Sequence, residues 1–442
     1  MDKNISELLN NEWKEYSITT IEDRAIPSVV DGLKPVQRFL LYGGFSKAKN
    51  DFIKVAALAG NTSAYGFTHG EQSAGDALTK MAAYHSNNLP LFIGKGSFGN
   101  YFDSTPAATR YIFCKLNPVC EKLFLDTELA PRHPDIEHLP PRHYLPIIPM
   151  VLVNGISGIA TGWAVDIPPH SPESIIDALV KKCHGKTVEP ADLVPNYPCF
   201  KGFISREGNS LKLKGIISQP SPSRAVVKDV TPNFDYSSFE AHLDKLVDAG
   251  KIVDYVNSSQ DDQYDILVTL KRGKTYSESD LIKLFKLEWN HKWNVNTISP
   301  EGKLQEWNPD TCFIDILNYF YDYRIQFVQQ RIDNKIKYLE KYIDYLKACI
   351  KFIEDVVENR FNFKISDAEF YDVLLNHYGM PKEYIERTMN TPVRKLTEEA
   401  LEKAKETLRD ASEELEYFLH TTKEKEFEKN LKDLKKSLKE IK

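Results

Sequence analysis

Arg110 and Tyr111 stand side by side in the stretch Thr105-Pro106-Ala107-Ala108-Thr109-Arg110-Tyr111-Ile112-Phe113. A free phenol ionises near pH 10, so about one in a thousand is a phenolate at neutral pH. A neighbouring guanidinium favours the phenolate and also offers a fork of N–H donors to a phosphate. That pairing suits covalent attack on a phosphodiester, with the arginine stabilising charge that builds on the phosphate oxygens. The dipeptide alone decides little, because the chain has 22 tyrosines and most tyrosines serve packing.

Other chemistries find weaker support. Gly94-x-Gly96-x-x-Gly99 has the GxGxxG spacing of a dinucleotide or kinase loop. Nothing before it reads as a clean strand of a βαβ unit, and Asn100-Tyr101-Phe102-Asp103 after it does not read as a helix start. Lys95 is not in a P-loop, because GxxxxGK[ST] is absent. No two aspartates are separated by a single residue, so an acidic DxD pair for magnesium is missing. The six cysteines show no CxxC and no zinc-like clustering, which predicts reduced thiols in a cytoplasm.

The elements that must position the tyrosine are short up to about residue 170, mixing helical patterns with Gly- and Pro-rich turns. His69 to Ala83 reads as a helix with Ala74, Ala77, Leu78 and Met81 on one side. From Cys199 to about Arg272 the texture changes. Ala225-Val226-Val227 and Tyr264 to Leu270 read as strands, and Phe239 to Leu246 between them as a helix. Further on, Ile325, Val328, Ile332, Ile336, Leu339, Ile343, Leu346, Ile350, Ile353 and Val357 recur at steps of three and four with one extra step of four. That is a helical seam with a stutter.

A second arm carries Leu401, Ala404, Leu408, Ala411, Leu415 and Phe418, and a less regular segment with Pro381 and Pro392 separates the two. Periodicity alone fits either a dimerising antiparallel coiled coil or a helical hairpin folded on its own domain. The tail from Lys423 holds eight lysines and five acids, with Phe427, Leu431, Leu434, Leu438 and Ile441 as an apolar side.

A length of 442 residues predicts about three domains. With 42% hydrophobic and 27% charged residues, the chain has an ordinary globular composition. No run approaches the roughly 18 apolar residues of a membrane span, and Met1-Asp2-Lys3-Asn4 is unlike a signal peptide. The net charge of −6 argues weakly against nucleic acid, yet Asp31 to Lys115 holds nine Lys/Arg against five Asp/Glu. Charge does not decide the partner.

Several further motifs occur in order: Ala25-Ile26-Pro27, Asp31-Gly32-Leu33-Lys34-Pro35-Val36-Gln37-Arg38, His69-Gly70-Glu71-Gln72-Ser73, Gly94 to Gly99, the tyrosine stretch, and Ile147 to Gly155. With them the chain resembles the cleavage core of type IIA DNA topoisomerases over nearly its whole length. The HGEQS wording and Thr161-Gly162-Trp163 sit closer to the eukaryotic branch than to bacterial gyrase. Length and the lack of an ATPase region resemble the separate cleavage subunits of T-even-type bacteriophages.

The resemblance implies a mixed α/β multidomain architecture. Its parts would be a winged-helix DNA-cleavage domain over residues 1–172, an α/β tower domain over 173–305, and antiparallel coiled-coil arms over 306–442. The arms would carry a globular dimerisation tip at about 361–391. It implies Tyr111 as nucleophile, joining a 5′ end, with Arg110, Arg38 and His69 as catalytic companions. Lys34, Lys54 and Gln72 become DNA contacts, and Ile159 an apolar wedge between base pairs. Gyrase-like members carry a second histidine where this chain has Phe67.

By the same resemblance the partners are double-stranded DNA, a second copy of the chain, and a further chain supplying ATP turnover and Mg²⁺, with no metal site here and no membrane. The setting is the cytoplasm of a host cell. The expected activity is relaxation and decatenation without active negative supercoiling. A non-catalytic DNA-binding scaffold of the same fold is the rival, and a self-sufficient nuclease a third reading.

Overall fold

The computed structural model describes Ile5 and residues 12–260 and 262–440. Met1 to Asn4 and Ile441 lie outside the described residues. The chain divides into two compact units, Met1–Arg324 with Glu428–Lys442, and Ile325–Phe427.

In the first unit, helix α1 (Pro35–Lys47) opens with proline at its first turn, where the missing N–H costs nothing and the fixed φ suits the helix. Strand β1 (Ile53–Lys54), helix α2 (Val55–Asn61) and helix α3 (Glu71–Ala82) follow. Gly43 and Gly44 let neighbours press against α1. A Cβ on them would lie 2.8 Å from Leu58 Cδ1 and 2.8 Å from the Phe92 ring respectively. Ala74, Leu78 and Met81 of α3 are buried as expected, while Ala77 is half-buried and Gly75 and Thr79 join the buried face. The helix begins at Glu71, so His69 and Gly70 sit in the loop before it.

Strands β2 (Phe92–Lys95) and β3 (Phe113–Leu116) complete an antiparallel sheet in the order β1-β3-β2. This corrects one expectation. A strand does precede and include the first glycine of the GxGxxG run, but in an antiparallel sheet, with no helix after it. Hairpin strands β4 (Ile156–Ile159) and β5 (Ala164–Ile167) and helix α4 (Pro172–Cys183) come next.

Two further antiparallel sheets are built from β6 (Phe203–Glu207), β7 (Ser210–Lys214), β8 (Ile216–Ser221), β9 (Arg224–Asp229), β10 (Ile252–Asn257), β11 (Ile266–Leu270) and β12 (Glu288–Lys292). Their orders are β10-β11-β9-β8 and β12-β7-β6. Helices α5 (Tyr236–Asp248) and α6 (Glu278–Phe285) contribute Phe239, Leu243, Leu281 and Phe285 to the core beneath. Each such side chain contributes about 1.5–3 kcal/mol by leaving water. The α/β texture thus extends past Arg272, and Tyr264 lies just before its strand. Tyr101 and Phe102 pack against this core, joining the tyrosine-bearing segment to it.

The short pair β13 (Asn296–Ile298) and β14 (Leu304–Glu306) leads into helix α7 (Cys312–Val357). The division between units falls inside α7, and residues from Glu428 on belong with the first unit. A single block over 306–442 is therefore not how the compact units divide.

In the second unit, α7 and helix α10 (Glu398–His420) run antiparallel, as the ion pairs Lys335–Glu414 at 3.0 Å and Glu354–Lys405 at 3.2 Å require. Most of the seam from Ile325 to Ile353 is buried; Ile336 and Val357 are half-buried. Between the arms lie helices α8 (Asp367–Asp372) and α9 (Lys382–Met389); Leu374 and Met380 from the segment joining them and Ile385 of α9 share a core with Leu346 and Phe352. The chain breaks at Thr421 and Thr422 before helix α11 (Lys423–Glu440), whose Phe427, Leu431, Leu434 and Leu438 are buried.

Candidate active site

Tyr111 ends a tight turn in which its N–H donates to the Ala108 carbonyl at 2.9 Å. The turn is pinned from both sides. Val55 N–H donates to the Ile112 carbonyl at 3.0 Å and Ala56 N–H to that of Thr109 at 3.2 Å, tying it to the start of α2. Thr109 also packs on Gly75 of α3, where an added Cβ would sit 3.0 Å from its methyl group. The backbone is fixed, yet the Tyr111 side chain is 66% exposed. The Arg110 guanidinium carbon lies 4.7 Å from the centre of its ring. An exposed phenol beside an unburied cation is open to a polyanion.

Lys54 pairs across the sheet with Phe113, and so does Lys95 from the other side. Directly paired residues share a sheet face, so both lysines stand near the strand that Tyr111 leads into. Phe52 and Lys115 share that side, the Lys115 ammonium lying 5.3 Å from the Phe52 ring centre. Lys95, Lys115 and Phe52 did not emerge as contacts from the sequence. Their signal was the period-two spacing along each short strand.

Arg38 is placed differently. Its Nε donates to Asp31 Oδ2 at 2.7 Å, and its Nη2 to Asp31 Oδ1 at 3.1 Å and to the Leu33 carbonyl at 2.9 Å. Asp31 is fully buried and the Arg38 side chain only 13% exposed. Asp31 also accepts from the N–H groups of Leu33 and Tyr144, at 3.0 and 2.9 Å. Only part of the guanidinium is thus left for a phosphate. Asp31 is the buried partner of Arg38 that sequence reasoning missed, although it opens its motif.

Arg38 and His69 line one cavity of about 510 Å³; Tyr111 and Arg110 do not. The expected four-residue set is therefore divided between two places within one chain. Phe67 fills the position of the second histidine, edge-on to His69 with ring centres 5.3 Å apart and packed on Phe39 at 5.4 Å. It supports His69 sterically and offers no proton.

Ile159 is 88% exposed at the tip of the β4–β5 hairpin, so it does not serve the core. Lys34 holds that hairpin from below, its Nζ donating to the Ser157 carbonyl at 2.8 Å. Burial, and then the charge of Lys80, pull the Lys34 ammonium below the usual lysine range. Gln72 is exposed on α3 and donates to Asp76 at 2.8 Å. Among the described residues no group of three or more His, Cys, Asp or Glu side chains is placed to hold a metal ion.

The family model describing the A subunits of DNA gyrase/topoisomerase IV matches residues 24–435. The chain belongs to that family. It is 32% identical to the DNA topoisomerase medium subunit of Enterobacteria phage T4, over 98% of this chain and 99% of that one. It is also 32% identical to the mitochondrial DNA topoisomerase 2 of Dictyostelium discoideum, over 80% of this chain and 28% of that enzyme.

The crystal structure of the Plasmodium falciparum topoisomerase II DNA-binding, cleavage and re-ligation domain matches with a TM-score of 0.85 at 25% identity. That match covers 97% of this chain and 64% of the other. This topoisomerase chain thus spans the full length of its phage relative but only about a quarter of the slime-mould enzyme. It is a cleavage and religation subunit of the type II topoisomerases.

Proposed function

We propose that Tyr111 is the nucleophile of a transient double-strand break made by two copies of this chain. The phenolic oxygen bonds to phosphorus as the bond from phosphorus to the 3′ oxygen breaks. The proton leaves the phenol, and the departing 3′ oxygen ends as a hydroxyl. The product is a 5′-phosphotyrosyl link, and the reverse exchange reseals the strand with no fuel, since one phosphodiester replaces another. Arg110 stabilises charge on the phosphate oxygens, and Arg38 and His69 supply further donors. Lys54 and Gln72 contact the DNA, Ile159 inserts between base pairs, and Lys34 holds the Ile159 hairpin in place as well as facing the backbone.

In this reading the first 172 residues form the winged-helix cleavage domain, 173–305 the tower beneath flanking DNA, and the long helices a coiled coil with a dimerising tip. The T4 relative is a subunit of matching length, which supports ATP turnover and Mg²⁺ binding on a partner chain. Mg²⁺ would there neutralise phosphate charge. The enzyme would relax and decatenate DNA in the cytoplasm of an infected cell.

The observation that carries the proposal is the two-thirds-exposed Tyr111 on a pinned turn, with a guanidinium against its ring. The test is detergent trapping of protein on end-labelled DNA, with Mg²⁺ and the ATPase partner present. Attachment at 5′ ends by the wild type and its loss in Tyr111→Phe are expected. Attachment that persists in Tyr111→Phe would remove this tyrosine from the mechanism.

A further inference from the structure

Strands β2 and β3 are neighbours in one sheet, and the chain between them, residues 96–112, carries the Tyr111 turn at its far end. A long connection without regular structure is loose unless it is tied down. This one closes on itself. Ala107 N–H donates to the Ser97 carbonyl at 3.0 Å, and Asn100 N–H to that of Asp103 at 2.8 Å. The Asn100 side chain accepts from the N–H groups of Phe102 and Asp103, and the Asp103 carboxylate from that of Thr105. A displacement of the loop tip, Tyr101 and Phe102, is thus passed along stitched backbone toward Tyr111.

Two carboxylates hold that tip by opposite ends of Tyr101. Asp229, at the end of β9, accepts from the Tyr101 hydroxyl at 3.2 Å. It is buried and also accepts from the N–H groups of Lys201, Gly202 and Val230, so it belongs to the packed core. Asp262, in the connection between β10 and β11, accepts from the Tyr101 N–H at 3.0 Å. It is half-buried, and its second oxygen accepts from the Tyr84 hydroxyl at 2.5 Å. Burial, and then that bond to Asp262, push the Tyr84 hydroxyl well above the usual tyrosine range, so it keeps the proton it donates.

Tyr84 closely follows α3, and α3 also touches the catalytic turn where Gly75 meets Thr109. Asp262 therefore joins the end of α3 to the loop tip. Its backbone has φ +57°, a left-handed conformation that few residues besides glycine, asparagine and aspartate adopt. Such a conformation persists where the surrounding structure demands it. Reciprocal backbone bonds between Gln260 and Gln263, at 3.2 and 3.0 Å, close the turn around it.

We propose that Asp262 is a positioning residue for DNA cleavage: by holding Tyr101 and Tyr84 together it sets where Tyr111 meets the scissile phosphate, a role that rests on the reading of Tyr111 as the nucleophile. Asp262 acts through the loop and touches no substrate. Its loss should slow bond formation and leave DNA binding in place.

The test follows the rate of 5′ adduct formation by the full chain, with its ATPase partner and Mg²⁺, across a range of duplex DNA concentrations. Folding of each variant is checked by circular dichroism. Asp262→Ala is expected to lower the rate at saturating DNA about ten- to a hundredfold, the effect of a misplacement of roughly 1 Å. The DNA concentration giving half the maximal rate should stay within about twofold. Asp262→Asn keeps an acceptor for the Tyr101 N–H and suits the left-handed backbone, so it should recover the rate to within about threefold. Asp262→Gly relieves the backbone without supplying an acceptor and should be as slow as alanine. Tyr84→Phe, which loses one hydrogen bond, should slow the rate about fivefold.

A wild-type saturating rate in a folded Asp262→Ala overturns the proposal, as does a loss confined to the half-saturating concentration. An asparagine variant as slow as alanine overturns it too. If neither the alanine nor the glycine variant folds, a wild-type rate in Tyr84→Phe has the same force. Attachment that persists in Tyr111→Phe would remove the reading beneath the proposal, whereas an unchanged rate in Asp262→Ala removes the proposal alone.

Discussion

Tyr111 stands in solvent on a backbone that is held from two sides, whereas Arg38 is held through its side chain by a carboxylate with no exposure at all. The first arrangement leaves the phenol accessible while fixing the backbone that carries it. The second preorganises a cation in the fold before any substrate arrives. The contrast teaches that exposure marks what must move onto the substrate, and burial marks what must already be in place. It also predicts that damage at the two places will have different character, chemical at one and structural at the other.

The largest effect should come from Asp31→Ala. Removing one partner of a buried, hydrogen-bonded pair typically costs about 3–5 kcal/mol, so urea unfolding should shift by that amount and cleavage should fall with it. A loss below about 1 kcal/mol would mean the clamp is not structural. Arg110→Ala should do the reverse. Cleavage should slow by about 10²–10³-fold through lost charge stabilisation, while stability changes by less than about 0.5 kcal/mol. A comparable loss of stability would erase the distinction between the two places.

A smaller effect is expected from pH. Burial pulls the His143 imidazole down to about 4, its ring held at 2.9 Å from the Tyr323 hydroxyl. Above about pH 6.5 the group is neutral in both folded and unfolded chains. Between there and pH 4 the unfolded chain takes up a proton that the folded one refuses, so stability falls as pH drops. The whole window is worth about 1–3 kcal/mol, and His143→Gln should flatten that part of the curve in urea titrations at stepped pH. His170, lowered to about 4 by burial as well, would keep a slope of its own.

The long helices were legible because a heptad-like seam repeats over many turns, so local errors average out. The strands around Val226 and Leu267 were legible from period-two alternation. The boundaries near His69 and Tyr264 shifted by two residues, since nothing in composition marks where a loop yields to a helix or strand. The strand Phe92–Lys95 escaped notice because glycines lie within and just beyond it and its pairing partner lies some twenty residues on.

At the site, Tyr111 and Arg110 were readable as a pair, while the expectation of a wedge at Ile159 came only from resemblance; its exposure shows that it is not a core residue. What could not be read was the tertiary pairing: the clamp of Arg38 by Asp31, the support of the hairpin by Lys34, and the hold of Asp262 and Asp229 on Tyr101. These depend on loops that meet across the fold, for which sequence spacing carries no signal.

The most direct measurement is to map the covalent link itself. Adducts trapped with short end-labelled DNA are digested with a protease and a nuclease, and the peptide bearing the residual nucleotide is sequenced by mass spectrometry. The account predicts a 5′-phosphonucleotide on Tyr111 and on no other tyrosine. The same modification on any other side chain, or linkage through a 3′ phosphate, would contradict it.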